Sequence, residues 1–191
     1  MPTVNQDVRI TADAYLALEN KSDVKHEFVS GYVYAMVGSS RAHNLIALAL
    51  ASIIRTHLAG SGSRVYISDM KVYAKTREDE VFYYPDVMVS CDDQPPSEYF
   101  EDKPKLIVEI LSDSTESKDR LEKLNIYTKI ESLQEYILVS QKKAQVDVYQ
   151  KIEDAWMLSS YLDDETISLS SIGLSLPVKA IYADVLGQIM E

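Results

Sequence analysis

The 191 residues carry 30 acidic against 19 basic side chains, a formal charge of −11, with 46% hydrophobic residues. That size and apolar content suit a single domain spanning residues 1–191, and the charge counts against a chain that coats nucleic acid non-specifically, because neutralising phosphates takes clustered Lys and Arg. It does not exclude a nuclease, since a metal-dependent active site is itself acidic.

In chain order, Thr11 begins a short capped helix with Thr11 or Asp13 near its start and Asn20 near its end. His26 to Met36 is an apolar-aromatic hairpin turning at Ser30-Gly31. Ser39 or Ser40 caps a largely buried helix from about Arg41 to Ala59, which ends at the Gly60-Ser61-Gly62-Ser63 turn. Short strands follow at 64–68, 71–74 and 81–84, leading into the Asp86 strand. A loop at Gln94-Pro95-Pro96-Ser97 precedes the strand Lys105 to Leu111. Glu116 to Ile130 reads as an amphipathic helix with Leu121, Leu124 and Tyr127 on its inner side. Glu135 to Ser140 is the next strand, parallel to the one before the helix. The tail adds strands at 144–150 and 155–161, then a helix from about Val178.

Two acids stand out. Glu109 shares a strand face with Ile107 and Leu111, where an ionised carboxylate has no water to solvate it. Such an acid has a lysine or arginine partner, a metal or a proton. Asp86, in Tyr84-Pro85-Asp86-Val87, stands at the mouth of a second apolar strand, where a plain turn role is the simpler reading of Pro-Asp alone. The two acids on successive strands together favour a hard-oxygen site of the kind that holds Mg²⁺, with Mn²⁺ as substitute. Glu27, His43, Asp69, Lys71 and Lys123 have bland surface or structural readings when taken one at a time.

This order of elements resembles the PD-(D/E)XK nuclease superfamily, and within it a family of uncharacterised bacterial restriction-endonuclease-like proteins. The resemblance rests on His26-Glu27-Phe28 with Gly31, Arg41-Ala42-His43-Asn44, Tyr84-Pro85-Asp86-Val87, Val108-Glu109-Ile110-Leu111-Ser112, and Lys123-Leu124 with Tyr127 and Glu135-Tyr136, across about residues 10 to 185. It implies an α/β fold, a restriction-endonuclease-like mixed central sheet flanked by helices, with extra strands at the C-terminal end. It implies a Mg²⁺-dependent endonuclease acting on DNA, with Asp86, Glu109 and the Ile110 carbonyl on the metal, Glu27 completing the acidic cluster and His43 positioning substrate. The superfamily lysine expected two residues after Glu109 is replaced here by Leu111. The closer family moves that lysine onto the following helix, where this chain offers Lys123.

Glu116, Asp119, Lys123 and Tyr127 then form one polar stripe. On that reading Lys123→Met costs activity but little folding energy, and Lys118, on another side of the helix, is dispensable. A homodimer is expected, because cutting two strands takes two sites. Cytoplasm is the expected compartment, given one cysteine (Cys91), no N-terminal signal and no membrane-length apolar run. A degenerate nuclease fold kept for binding or assembly, and a metal-dependent hydrolase of a small phosphoester, are the alternatives.

Overall fold

The computed structural model describes residues 9–185. In order the chain forms α1 (Ala12–Glu19), β1 (His26–Val29), β2 (Tyr32–Ala35), α2 (Arg41–His57), β3 (Arg64–Ile67), β4 (Lys71–Lys75), β5 (Glu80–Tyr83), β6 (Val87–Ser90), β7 (Phe100–Glu101) and β8 (Pro104–Leu111). A π-helical turn (Lys118–Lys123), α3 (Leu124–Tyr127), β9 (Glu135–Ser140), β10 (Gln145–Ile152), β11 (Ala155–Leu162), β12 (Thr166–Leu169), β13 (Leu174–Pro177) and α4 (Val178–Ile181) complete it. Residues 186–191, where the expected terminal helix would continue, lie outside the described residues. Among the described residues no helix is long and apolar enough to cross a membrane.

The fold is α/β with a mixed main sheet that the C-terminal strands extend, and two smaller sheets stand beside it. In the main sheet, β11-β10-β9-β8-β6-β3, β8 and β9 run parallel and the other neighbours antiparallel. A second sheet, β2-β1-β5-β4-β7, holds the hairpin, and β12 and β13 form a two-stranded sheet. Aromatic packing explains the split, because Phe28 on β1 lies 5.2 Å from Tyr15 of α1 and 6.1 Å from Phe82 of β5. The hairpin therefore buries its apolar face against α1 and β5. Its two-residue turn has positive φ at Ser30 (48°) and Gly31 (99°), the backbone that tight hairpins demand.

The larger sheet is covered on both faces, so β8 reads as a continuous apolar run rather than an alternating one. Leu106, Val108 and Ile110 pack toward α2, whose Ile46, Leu50 and Ile54 recur at four-residue intervals. Ile107 and Leu111 pack on the other face with Ile126, Tyr127 and Tyr136. Glu109 shares that second face by strand alternation.

The helix expected over 116–130 departs most from its reading. Its middle is a π-helical turn, so residues five apart approach one turn of separation, whereas on an α-helix they would stand about 140° apart. Leu121 is rotated outward to 69% exposure while Asp119 and Lys123 turn in. Truncation separates the two placements. Ile126→Ala should cost about 2–5 kcal/mol of stability in urea unfolding, and Leu121→Ala no more than about 0.5 kcal/mol. Similar losses at both positions would restore the regular helix.

Candidate active site

Asp86 occupies the bend just before β6, and Val87 stands opposite Val108 in the β6–β8 ladder. The ladder stops there, and Asp86, in the bend beyond it, turns toward the α2 layer while staying close enough to Glu109 for its charge to be felt. Its Oδ2 accepts the Ile110 backbone N–H at 2.7 Å and lies 3.2 Å from Nε2 of His43, in the first turn of α2. Ser40 holds that turn by accepting the His43 N–H on its side chain. Asp86 thus ties the α2 layer to the sheet end.

Glu109 faces the opposite layer and is 3% exposed. Its Oε1 accepts from Lys123 Nζ at 2.8 Å and from Tyr127 OH at 3.1 Å. Lys123 Nζ also lies 3.2 Å from Asp119 and 3.4 Å from Glu27, so one ammonium serves three carboxylates. Lys118 donates to the other oxygen of Glu27 at 2.6 Å. The expected stripe is present through Asp119, Lys123 and Tyr127, whereas Glu116 pairs outward with Arg120. Lys118 does not lie on a different side. The π-helical turn brings it onto the same acid as Lys123.

Electrostatics follow from burial and this shortage of cations. Burial pushes the Glu109 carboxyl well above its usual range, with Asp119 and Asp86 adding to the rise and Lys123 opposing it. Burial raises Asp119 too. For Glu27 burial acts in the same direction, but Lys123 and Lys118 outweigh it and its pKa falls. Burial disfavours the Lys123 charge, yet the acids around it hold that charge more firmly than in a free lysine. Glu27, Asp86, Glu109 and Asp119 set four carboxylates against two lysines in this group.

Could these residues hold a metal? Asp86 Oδ1 and Glu109 Oε2 accept no hydrogen bond among the described residues, whereas Glu27 Oε1 and Asp119 Oδ1 are held by the ion pair to Lys123 without a well-directed hydrogen bond. Hard, anionic oxygens in excess of cations fit Mg²⁺ or Mn²⁺. The fit is partial in position: among the described residues no three His, Cys, Asp or Glu side chains converge closely enough to enclose an ion. Ile110 takes part through its N–H, which orients Asp86.

Two further residues belong elsewhere. Lys71 is buried against Tyr84, with Nζ 3.3 Å from that hydroxyl, in a group with Glu19 and His26. Asp69 pairs with Lys25 at the surface. Regular helical spacing puts Lys118 on another side of the helix, and its distance of five residues from Lys123 becomes a signal only with the π turn in view.

The family described as "Uma2: Putative restriction endonuclease" matches residues 12–179. Two uncharacterised Synechocystis proteins are similar over most of their length. One, slr1290, is 36% identical over 176 residues, covering 91% of this chain and 92% of the relative. The other, sll1609, is 31% identical over 159 residues, covering 81% and 89%. The crystal structure of "a putative nuclease belonging to DUF820" from Anabaena variabilis superposes with a TM-score of 0.69 at 19% identity, over 91% of this chain and 98% of that one. That likeness shows a shared fold.

The buried cation generates a test that corrects the expected mildness of Lys123→Met. With Lys118 still on Glu27, removal of Lys123 leaves Glu109 and Asp119 buried without their cation, which should cost about 3–5 kcal/mol near neutral pH. Their pKa values then rise further, so between the ordinary and the raised values the native state binds more protons than the unfolded chain, and stability falls as pH rises. Urea unfolding should show a larger deficit at about pH 8 than at about pH 5. A variant as stable as wild type at both would release Lys123 from this role.

Proposed function

The chain belongs to the Uma2 family, and from that membership and the acid group we propose that it is a metal-dependent endonuclease hydrolysing phosphodiester bonds in DNA. The observation that carries the reading is the pair of free carboxylate oxygens, Asp86 Oδ1 and Glu109 Oε2, at one sheet end in a group where acids outnumber lysines. Asp86, Glu109 and the Ile110 carbonyl would hold Mg²⁺, or Mn²⁺ in its place. Bound there, the ion supplies Lewis-acid polarisation of a phosphoryl oxygen and a more acidic water. His43 and the Ile110 N–H keep Asp86 aimed at that position. Lys123 and Tyr127 fix Glu109, and Glu27 completes the negative field.

A second reading has its own observation. Glu109 already finds a lysine partner, which suits a nuclease fold retained for binding or assembly without chemistry. Plasmid nicking or linearisation by wild type in Mg²⁺, abolished by EDTA and reduced at least about a hundredfold in Asp86→Asn and Glu109→Gln, supports the enzyme. Calorimetry should show Mg²⁺ or Mn²⁺ binding to wild type and not to Asp86→Asn. Hydrolysis of bis-p-nitrophenyl phosphate with plasmid left intact would point instead to a small phosphoester. No cleavage and no metal uptake would favour the binding module.

A homodimer is part of the proposal. Its supporting surface is β11, an eight-residue edge strand without a charged residue, where Met157, Leu158 and Leu162 are exposed. Glu153, Asp154, Asp163, Asp164 and Glu165 bracket that strand, so antiparallel self-pairing sets acid against acid and salt should tighten it. Light scattering at tens of micromolar should show a dimer fraction that grows from low to moderate salt. A monomer throughout would remove the dimer.

A further inference from the structure

Lys118 and Lys123 both reach Glu27, but their surroundings differ. The Lys123 side chain is 6% exposed and contacts three carboxylates. That of Lys118 is 27% exposed and bonds one carboxylate, Glu27. Its next carboxylate, Glu122, is 4.0 Å away and already accepts the Tyr83 hydroxyl. Rings of Tyr34 and Tyr83 lie 5.4 and 5.1 Å from the Lys118 ammonium, placing it at an aromatic rim of the acid group.

We propose that Lys118 is the residue through which this site contacts the phosphodiester backbone of its substrate, with Lys123 behind it as a fixed counter-charge. The proposal rests on the nucleic-acid reading above. An ammonium shared among three carboxylates and closed off from solvent has neither spare charge nor an opening for a phosphate. Lys118 has both. Its long flexible stem lets the ammonium swing from Glu27 to an incoming anion, and Glu27 is not stranded when it leaves, because Lys123 remains 3.4 Å from the other oxygen. A substrate phosphate docked here also offsets the repulsion it meets from the surrounding acids only if a mobile cation accompanies it. Glu27 accordingly holds that cation in readiness in the free protein.

The test is fluorescence anisotropy of a labelled DNA duplex with the full chain in Ca²⁺, across a salt series. Lys118→Gln should weaken binding several-fold and flatten the slope of log Kd against log salt by about one, the signature of one lost phosphate contact. Lys118→Arg should keep the wild-type slope. Arg120→Gln removes a charge committed to Glu116 and Asp147 and should also keep it. On wild-type protein, DNA should protect Lys118 from acetylation by acetic anhydride, read by mass spectrometry, which needs no variant to fold. An unchanged slope in Lys118→Gln, an equal flattening in Arg120→Gln, or an unprotected Lys118 in the presence of bound DNA overturns the proposal alone. Wild-type protein that binds no DNA at any salt overturns it together with the nucleic-acid reading.

Discussion

One ammonium held among three carboxylates organises this molecule. Lys123 is a buried charge that only its partners make tolerable, and those partners come from β1, β8 and the π-helical turn. A charge of this kind leaves little freedom to its neighbours, because each buried carboxylate depends on the one ammonium they share. The hairpin sheet, the main sheet and the helical layer are therefore tied at one point by electrostatics as well as by apolar packing. Tyr127 adds a hydroxyl to the same Glu109 oxygen, while Tyr136, packed 5.2 Å from the Tyr127 ring, bonds back to the Asp119 carbonyl.

The π-helical turn is what makes the arrangement possible. An α-helix would carry Lys118 and Lys123 to different sides and turn Leu121 inward. Widening the turn exposes one leucine and frays the regular hydrogen bonding, and in exchange it delivers Asp119, Lys118 and Lys123 to a single face. Nearby carboxylates elsewhere are satisfied quite differently. Fully buried Glu135 accepts from the Ser170 N–H, the Ser171 hydroxyl and Gln150, fastening the β12 end to β9. Asp147 takes Arg120, Ser160 and Gln145. Those acids have their lone pairs well occupied and are structural, which sets apart Asp86 and Glu109, each with one carboxylate oxygen unclaimed among the described residues.

Net charge and local chemistry are separate here. A chain of −11 repels a polyanion at long range, so any approach of nucleic acid has to depend on short-range groups such as Lys118 and on a cation drawn into the acid group. Activity of that kind would be sensitive to ionic conditions in two opposing senses, since salt screens the unfavourable field as well as the favourable contacts.

The sequence by itself determined most of the strands, α1, α2 and the buried location of Glu109. The hairpin at Ser30-Gly31 was legible because only a narrow set of residues tolerates its backbone, the helix starts to within a residue or two of Thr11 and Ser40 because short polar side chains there meet unpaired helical N–H groups, and Glu109 because strand alternation puts it among Ile107 and Leu111. The pairing of Asp86 with His43, and Lys71's membership of a different group, were not legible, since both depend on which layers meet. The division into two large sheets, the short β7 and the β12–β13 pair were likewise missed, because pairing partners distant in sequence are chosen by packing and not by propensity. The register of the helix after β8 was decided last of all: local periodicity favoured a regular helix with Leu121 inside, and the tertiary structure overrode it because the buried acids Glu27 and Glu109 needed lysine more than the core needed one further leucine.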